Sequence, residues 1–335
     1  AAAAARLEMR CATAARGARA ARGARGFELL SAQGAARLLS DGYLTREDVG
    51  EQHAALAEDV SDVVNTAVLR IRASLLEVGR RPEDLPVAPA AFGPRRLEGV
   101  TWWTGGRAHP RVWRLGVTGG PCAGKTSGMV SLRRALGEWS GSRYLAFAVP
   151  EVATILFGLG AMNHGTFVDF EVAEYRAFAT QAEVLQIALE ELWARGAEAA
   201  VRRAGAERAV LLADRDAVDF KAWTGPVDPT QPVKWSDLLP DIGRYVGKRD
   251  LTEGDLVQRY QLGVLILQSF AVVEGRLNTN GYNSRCVGPN STNPVRRHTV
   301  EQSQSNDEVI VRAYTAAYPK EAICHIVNDG DDIDE

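Results

Sequence analysis

From Arg111 onward, short apolar runs alternate with longer segments in which apolar residues recur every three or four positions. Apolar runs of five to seven residues are typical of parallel strands that are buried on both faces. Strands that alternate with helices form βαβ units with right-handed crossovers. The pattern therefore predicts an α/β fold with a doubly wound, mainly parallel sheet. The predicted strands are Val112–Thr118, Tyr144–Val149, Arg208–Ala213, Leu262–Leu267 and Ala322–Val327.

The segments between these strands predict the covering helices. One helix is expected from Lys125 to about Glu138, a long one from about Asp169 to Arg195, and a last one that ends near Tyr318. The long helix carries an apolar stripe, which indicates that one side of it lies on the sheet. Its members are Tyr175, Phe178, Ala182, Leu185, Leu189 and Leu192.

Residues 27–80 predict a helical region that precedes the α/β part. Thr45 can cap a helix in which apolar residues from Val49 to Leu75 recur at helical spacing. Such an amphipathic helix either packs on its own domain, or binds a protein partner or a membrane surface. Residues 81–110 are rich in proline and glycine, and we interpret them as a linker. The predicted nucleotide-binding domain then occupies residues 111–329.

The two ends of the chain differ in composition from the rest. Residues 1–26 contain six arginines and one acidic residue, Glu8. This composition is typical of a transit peptide for a mitochondrion or plastid. The alternative is a low-complexity leader on a cytoplasmic protein. Residues 330–335 form a short acidic tail.

The net charge and the hydropathy of the chain indicate which classes of partner are not expected. A net charge of −3 gives no basic excess, so nucleic acid is not expected as a partner. No apolar run approaches the roughly 18 residues of a transmembrane helix. The four cysteines lack the CxxC spacing of a zinc site, and we expect reduced thiols rather than disulfides.

The strongest motif lies between the first strand and the first helix, where residues 119–126 satisfy GxxxxGK[ST]. A glycine-rich loop at this place turns backbone N–H groups inward, toward the positive end of the helix, and so binds phosphates. Lys125 would reach the β- and γ-phosphates of ATP or GTP, and the Thr126 hydroxyl would bind Mg²⁺. The alternative is a glycine-rich turn that precedes Lys-Thr by coincidence. The predicted nucleotide-binding residues are Gly119, Gly120, Pro121, Cys122, Ala123, Gly124, Lys125, Thr126 and Ser127.

Charged residues follow two further strands. Glu151 lies just after the second strand, and Asp214 and Arg215 lie at the end of the third. Ligands of open α/β sheets bind beyond the carboxyl ends of the strands. We therefore predict that Asp214 supports Mg²⁺, and that Glu151 and Arg215 contact a substrate. Helix capping is the alternative role for both acids.

Arg296 and Arg297 stand ahead of the last helix and follow a stretch rich in Gly, Asn and Ser. Enzymes that transfer phosphoryl groups stabilise the transition-state charge with arginine, often from a lid. Residues 278–298 are therefore a candidate lid that carries these two arginines as catalytic residues. The alternative is a basic turn exposed to solvent.

The order of these motifs resembles one family. TGGPCAGKT, VPEVAT, LLADRDAVD and NPVRRHTVEQ are similar to the motifs of NadR-type ribosylnicotinamide kinase domains and the GTP-binding TRPL translocation defect proteins. Gln181 and Glu183 lie in the matching helix, and the resemblance covers about two thirds of the chain. It implies a kinase-like P-loop NTPase fold with a phosphate acceptor near Glu151 and Arg215. Asp216 departs from this family, which has glycine there, and the region 223–259 resembles an insertion.

These patterns predict a P-loop kinase that uses Mg²⁺ and ATP or GTP to phosphorylate a small molecule. Two alternatives remain open. One is a nucleotide-switched protein with slow hydrolysis, whose N-terminal helices bind a partner. The other is a structural subunit that kept the fold. No guanine-reading motif distinguishes ATP from GTP.

Overall fold

The computed structural model describes residues 29–77, 79, 102–104, 108–120, 123–141, 143–159, 172–224, 233–268 and 300–327. The predicted leader, most of the predicted linker, the candidate lid and the acidic tail lie outside these residues. Within the described residues, no helix combines the length and apolar character needed to cross a bilayer.

The centre of the molecule is a five-stranded sheet in which all strands are parallel, in the order β2-β3-β1-β4-β5. Each strand begins within two residues of the position predicted from its apolar run. Because β1 is the central strand, residues that follow it lie at the middle of the carboxyl edge. The strands are Val112–Gly119 (β1), Tyr144–Val149 (β2), Arg208–Asp214 (β3), Val264–Gln268 (β4) and Ile323–Val327 (β5).

Helices cover both faces of this sheet, and a short 3₁₀ helix, Lys320–Ala322, precedes β5. The helix α4 follows β1, α6 connects β2 to β3, and α10 precedes the 3₁₀ helix. The α-helices are Ala32–Asp41 (α1), Arg46–Val49 (α2), Gln52–Glu77 (α3), Lys125–Ser140 (α4), Val152–Gly158 (α5), Val172–Ala204 (α6), Asp219–Trp223 (α7), Trp235–Val246 (α8), Glu253–Val257 (α9) and Val300–Ala317 (α10).

The two faces of β1 have different chemistry. Trp113, Leu115 and Val117 point toward α4 and form a small apolar cluster with Met129 and its neighbours. The alternate residues of β1 point to the other face, where Arg114 and Thr118 are buried among side chains of α6 and α7. The central strand therefore brings polar groups into the interior on one side only.

The helix α6 is longer than predicted, because it extends to Ala204 rather than ending near Arg195. It lies between the sheet and the N-terminal helices, so apolar contacts are available on most of its circumference. Its buried residues accordingly follow one another without the gaps of a surface helix.

The N-terminal helices are part of the main core. Buried residues of α1 and α3 belong to the same apolar cluster as those of α6 and β3. Close packing is visible at Gly196 of α6, where an added Cβ would lie 2.3 Å from Leu44 Cδ2. The apolar stripe of this region is thus covered by its own chain.

The single helix predicted from Thr45 is divided into two. Thr45 does cap a helix, through a capping box with Asp48, but this helix ends at Val49. Gly50 follows with a φ of 64° and a ψ of −134°, a positive-φ conformation that glycine adopts without strain and that ends α2. The long helix α3 then begins at Gln52.

We predict that Leu39→Ala lowers the free energy of unfolding by about 2–5 kcal/mol, because Leu39 on α1 is fully buried in the main core. Urea denaturation of the whole chain measures this loss. Leu76→Ala is the matched control, since Leu76 on α3 is 39% exposed and should cost much less. Equal effects of the two substitutions would contradict the integration of α1 into the core.

Candidate functional site

The loop 119–124 lies between β1 and α4, and its described residues are 119, 120, 123 and 124. Gly119 and Gly124 adopt φ values of 144° and 92°, which a side chain would strain. Gly124 is also the N-cap of α4, and no side chain caps this helix. The first N–H groups of α4 therefore have no side-chain acceptor, and they form a positive helix terminus at the middle of the sheet edge.

Lys125 folds back over this loop. Its Nζ donates hydrogen bonds to the carbonyl oxygens of Gly119 at 3.1 Å and Gly120 at 3.0 Å. Burial, together with the nearby positive charge of Arg215, lowers the pKa of Lys125. An anion bound in the loop would relieve both effects, because it would supply a negative partner for the ammonium group.

Asp214 ends β3, directly beside β1, where it pairs in register with Val117. Its Oδ1 is buried and has no hydrogen-bond partner. Burial and the nearby Glu151 raise the pKa of Asp214 to about 6. Asp214 does not cap the next helix, because α7 has Val218 as its N-cap without a side-chain hydrogen bond. A cation at this position would satisfy the unpartnered oxygen.

Arg215 connects two of the strand ends. Its Nε donates to Glu151 Oε1 at 2.6 Å, and its Nη1 donates to both oxygens of Asp219 at 3.0 and 3.1 Å. The backbone of Arg215 is left-handed, with a φ of 64°, which is uncommon for a residue with a side chain. The predicted pair of Glu151 and Arg215 is thus a close ion pair, extended by Asp219.

The charges of this cluster stabilise one another. Burial alone would raise the pKa of Glu151, but Arg215 and Lys125 outweigh it and lower the pKa to about 2. Asp219 and Glu151 raise the pKa of Arg215 despite its burial. Glu151 also accepts a hydrogen bond from the Thr154 hydroxyl in the first turn of α5. Glu151 therefore remains ionised at neutral pH and serves as an acceptor of hydrogen bonds.

Asp216 occupies a position at which the resemblance predicts glycine, and the structure shows how its side chain is accommodated. Its φ is not positive, so the backbone does not need glycine there. The side chain is 1% exposed and accepts hydrogen bonds from the hydroxyls of Tyr314 and Tyr318, each at 2.7 Å. Opposite it, Gly116 is necessary, because an added Cβ would lie 2.5 Å from Asp216 Oδ2.

A second cluster of buried charged residues lies on α6, and it was not predicted from the sequence. Glu190 and Glu191 are at most 1% exposed and form ion pairs with Arg259 and Arg114. Glutamates within an apolar helix are the signal that could have indicated it, because buried carboxylates require partners. These ion pairs lie on the face of β1 that carries Arg114.

Glu183, which the family resemblance placed in this helix, lies nearby with different chemistry. Both of its carboxylate oxygens are buried without a hydrogen-bond partner. Burial, together with the negative charges of Glu190 and Asp216, raises the pKa of Glu183 well above its usual value. These surroundings therefore favour the neutral form of the Glu183 carboxyl.

The remaining predicted site residues are not described at side-chain level. Pro121, Cys122, Arg296 and Arg297 lie outside the described residues, and Thr126 and Ser127 are described only as backbone in the first turn of α4. The described residues contain no cluster of three His, Cys, Asp or Glu side chains suited to a metal ion. Mg²⁺ commonly uses only one or two protein carboxylates and takes its other ligands from phosphates and water. Asp214 fits this mode of binding.

The shifted pKa of Asp216 predicts a dependence of stability on pH. Burial raises this pKa from 3.8 to about 7, although Tyr314, Tyr318 and the N–H of Val218 favour the ionised form. Between these values the folded chain binds a proton that the unfolded chain releases. The contribution of Asp216 to the free energy of unfolding is therefore largest below about pH 4. This contribution is lost as the pH rises toward about 7.

We predict that Asp216→Asn makes the free energy of unfolding less dependent on pH, by about 1 kcal/mol per pH unit between about pH 5 and 6.5. Urea denaturation across this range measures the slope. Asp250→Asn is the control, because the Asp250 side chain is 89% exposed and should leave the slope unchanged. A slope for Asp216→Asn equal to that of the wild type would show that Asp216 is ionised throughout the range.

Comparison of the chain with family models, curated proteins and solved structures found no match.

Proposed function

We propose that this chain binds a nucleoside triphosphate with Mg²⁺ at the 119–124 loop and transfers its γ-phosphoryl group to a small acceptor. One observation carries this proposal: a glycine-dependent loop with Lys125 folded into it adjoins the unpartnered carboxylate oxygen of Asp214 on the neighbouring strand. This arrangement supports the assignment of a P-loop NTPase fold with a kinase-like sheet. The all-parallel sheet with helices on both faces is compatible with that fold.

The loop supports phosphate binding through two features. The first N–H groups of α4 lack a side-chain cap, and a helix N-terminus favours negative charge. Lys125 is positioned over the loop, where its ammonium group can exchange the two carbonyl contacts for phosphate oxygens. A hydrogen bond between the ammonium group and an anionic phosphate oxygen is stronger than one between the ammonium group and a neutral carbonyl oxygen.

The residues that would hold Mg²⁺ are Asp214 and the Thr126 hydroxyl. Asp214 has a free oxygen at the strand beside β1, which is the place from which a carboxylate reaches a metal bound to phosphates. When bound, Mg²⁺ neutralises charge on the β- and γ-phosphates. The raised pKa of Asp214, about 6, also means that a cation there would stabilise its ionised form.

The cluster of Glu151, Arg215 and Asp219 supports an acceptor or phosphate site beside the loop. Arg215, whose Nε and Nη1 are bound to Glu151 and Asp219, places a positive charge beside the loop that would attract a phosphate or acceptor oxygen. Glu151, with a pKa of about 2, is suited to orient an acceptor hydroxyl by accepting its hydrogen bond. In the transfer, the acceptor oxygen bonds to the γ-phosphorus, the bond to the bridging oxygen breaks, and a nucleoside diphosphate leaves. The hydroxyl proton passes to water or to the phosphate product.

Arg296 and Arg297 remain candidates for stabilising the transition state.

The alternative function, a nucleotide switch that engages a partner through the N-terminal helices, has less support, since these helices bury their apolar residues in the main core. Binding of nucleotide without turnover in the presence of acceptors would favour that alternative.

We predict that Lys125→Ala weakens Mg²⁺–nucleotide binding at least about tenfold, because a charge-assisted contact contributes roughly 1.5–3 kcal/mol. Calorimetric titration with ATP and GTP measures the affinity. Lys248→Ala is the matched control, since Lys248 is also mostly buried and forms ion pairs, but lies outside the site. A folded Lys125→Ala variant with wild-type affinity would overturn the phosphate site.

We further predict that Asp214→Asn weakens nucleotide binding in the presence of Mg²⁺ at least about fivefold more than in its absence. The physical reason is that an amide oxygen is a weaker ligand for Mg²⁺ than a carboxylate. Titrations with Mg²⁺ and with a chelator give the two affinities. Equal losses in both conditions would contradict a role of Asp214 at the metal.

A further inference from the structure

The two tyrosines that bind Asp216 come from one helix. Tyr314 lies within α10, and Tyr318 follows its end, one helical turn later. Their rings are stacked, with centroids 5.7 Å apart and planes inclined by 6°. Each hydroxyl donates to a different oxygen of Asp216, so both carboxylate oxygens are fixed by α10. We call Asp216, Tyr314 and Tyr318 the tyrosine clamp.

Asp216 is also bound to its own turn. Its Oδ1 accepts a hydrogen bond from the N–H of Val218 at 2.9 Å. Tyr314 contacts Asp219 as well, with its hydroxyl 3.4 Å from Asp219 Oδ1. The clamp thus holds the turn 214–219 at two acidic residues, and it does so from an element that is distant in sequence.

This turn carries the charged groups of the proposed site. Asp219 accepts two hydrogen bonds from Arg215 and one from the Thr118 hydroxyl at the end of β1. The backbone N–H of Arg215 donates to the Val117 carbonyl of β1 at 2.9 Å, which fixes Arg215 beside the start of the loop, and its charge lowers the pKa of Lys125. The two cations therefore adjoin each other at the loop, where the terminal phosphate of a triphosphate would lie.

Stabilisation of the fold alone does not explain why a carboxylate occupies the centre of the clamp. A buried carboxylate with three donors costs desolvation, and an apolar side chain would fill the same space without that cost. The carboxylate differs from an apolar side chain because two hydroxyls and one N–H bind it and fix the orientation of its plane. The orientation of the turn that carries it is thereby fixed as well. A turn that is held in one orientation is expected where a side chain on it must be placed accurately.

We propose that the tyrosine clamp is a positioning device that places Arg215 against the γ-phosphate of a nucleoside triphosphate bound at the 119–124 loop. This inference rests on the proposed function. It assigns Asp216, Tyr314 and Tyr318 a role in discriminating triphosphate from diphosphate. The clamp residues act through Arg215 and Asp219 and do not themselves touch the nucleotide.

The test compares the affinities of the full chain for Mg²⁺–ATP and Mg²⁺–ADP, or for the guanine nucleotides if the wild type prefers them. The variant is the double substitution Tyr314→Phe and Tyr318→Phe, which keeps both rings and removes both hydroxyls. We expect its preference for triphosphate over diphosphate to fall at least about fivefold, with the affinity for diphosphate changed less than about twofold. The reason is that only the γ-phosphate depends on Arg215.

Two further variants provide a substitute for the double variant and a control. The single substitution Tyr318→Phe leaves Tyr314 in place, so it keeps the test available if the double variant does not fold, and its preference should fall by a smaller factor. Tyr245→Phe is the matched control, because it removes the hydroxyl of a tyrosine on α8 whose ring contacts Arg70, away from the turn. Its triphosphate preference should equal that of the wild type.

The outcomes are distinguishable. A wild type that binds neither nucleotide overturns the proposed function, and this inference with it. A wild type that binds both, with an unchanged preference in the variants, overturns the clamp while the proposed function stands. Equal losses for triphosphate and diphosphate would show that the clamp only stabilises the fold.

Discussion

The site depends on the position of one side chain, Arg215. It bridges Glu151, which follows β2, and Asp219, which is bound to the end of β1 through Thr118. Three strand ends are thereby connected by charge-assisted hydrogen bonds, which are stronger than neutral ones. Without Arg215, the carboxylates of Glu151, Asp214 and Asp219 would repel one another at the edge of the sheet. The arginine makes a concentration of negative charge compatible with the folded state.

The interior behind this site is polar for a related reason. The ion pairs of Glu190 and Glu191 with Arg259 and Arg114 occupy the same face of β1 as Thr118. Tyr260 joins the two regions, because its hydroxyl donates to Glu190 and accepts from the N–H of Ala217 in the turn. A buried network of this kind is costly unless every charge is paired, and it then holds its elements in one arrangement. The helix α6 thus supports the turn that carries Arg215.

The strands could be predicted from the sequence because each is a mostly apolar run, which is continuous where the strand is buried on both faces, as in β3. The glycine loop and the strand-end residues followed from short motifs whose members are close in sequence. The boundary at Gly50 was missed, since the apolar periodicity of the N-terminal region continues past it and only the positive-φ backbone divides the helix. The clamp was missed because Asp216 and Tyr318 are 102 positions apart, and no local pattern indicates that pair.

The central claim is that phosphates bind at the 119–124 loop. Amide hydrogen exchange of the wild-type chain, with and without Mg²⁺ and a nucleoside triphosphate, tests it most directly because the method locates the change. We expect added protection in the loop and the first turn of α4, together with the turn 214–219. Absence of protection in both places at saturating nucleotide, or protection confined to another part of the chain, would contradict it.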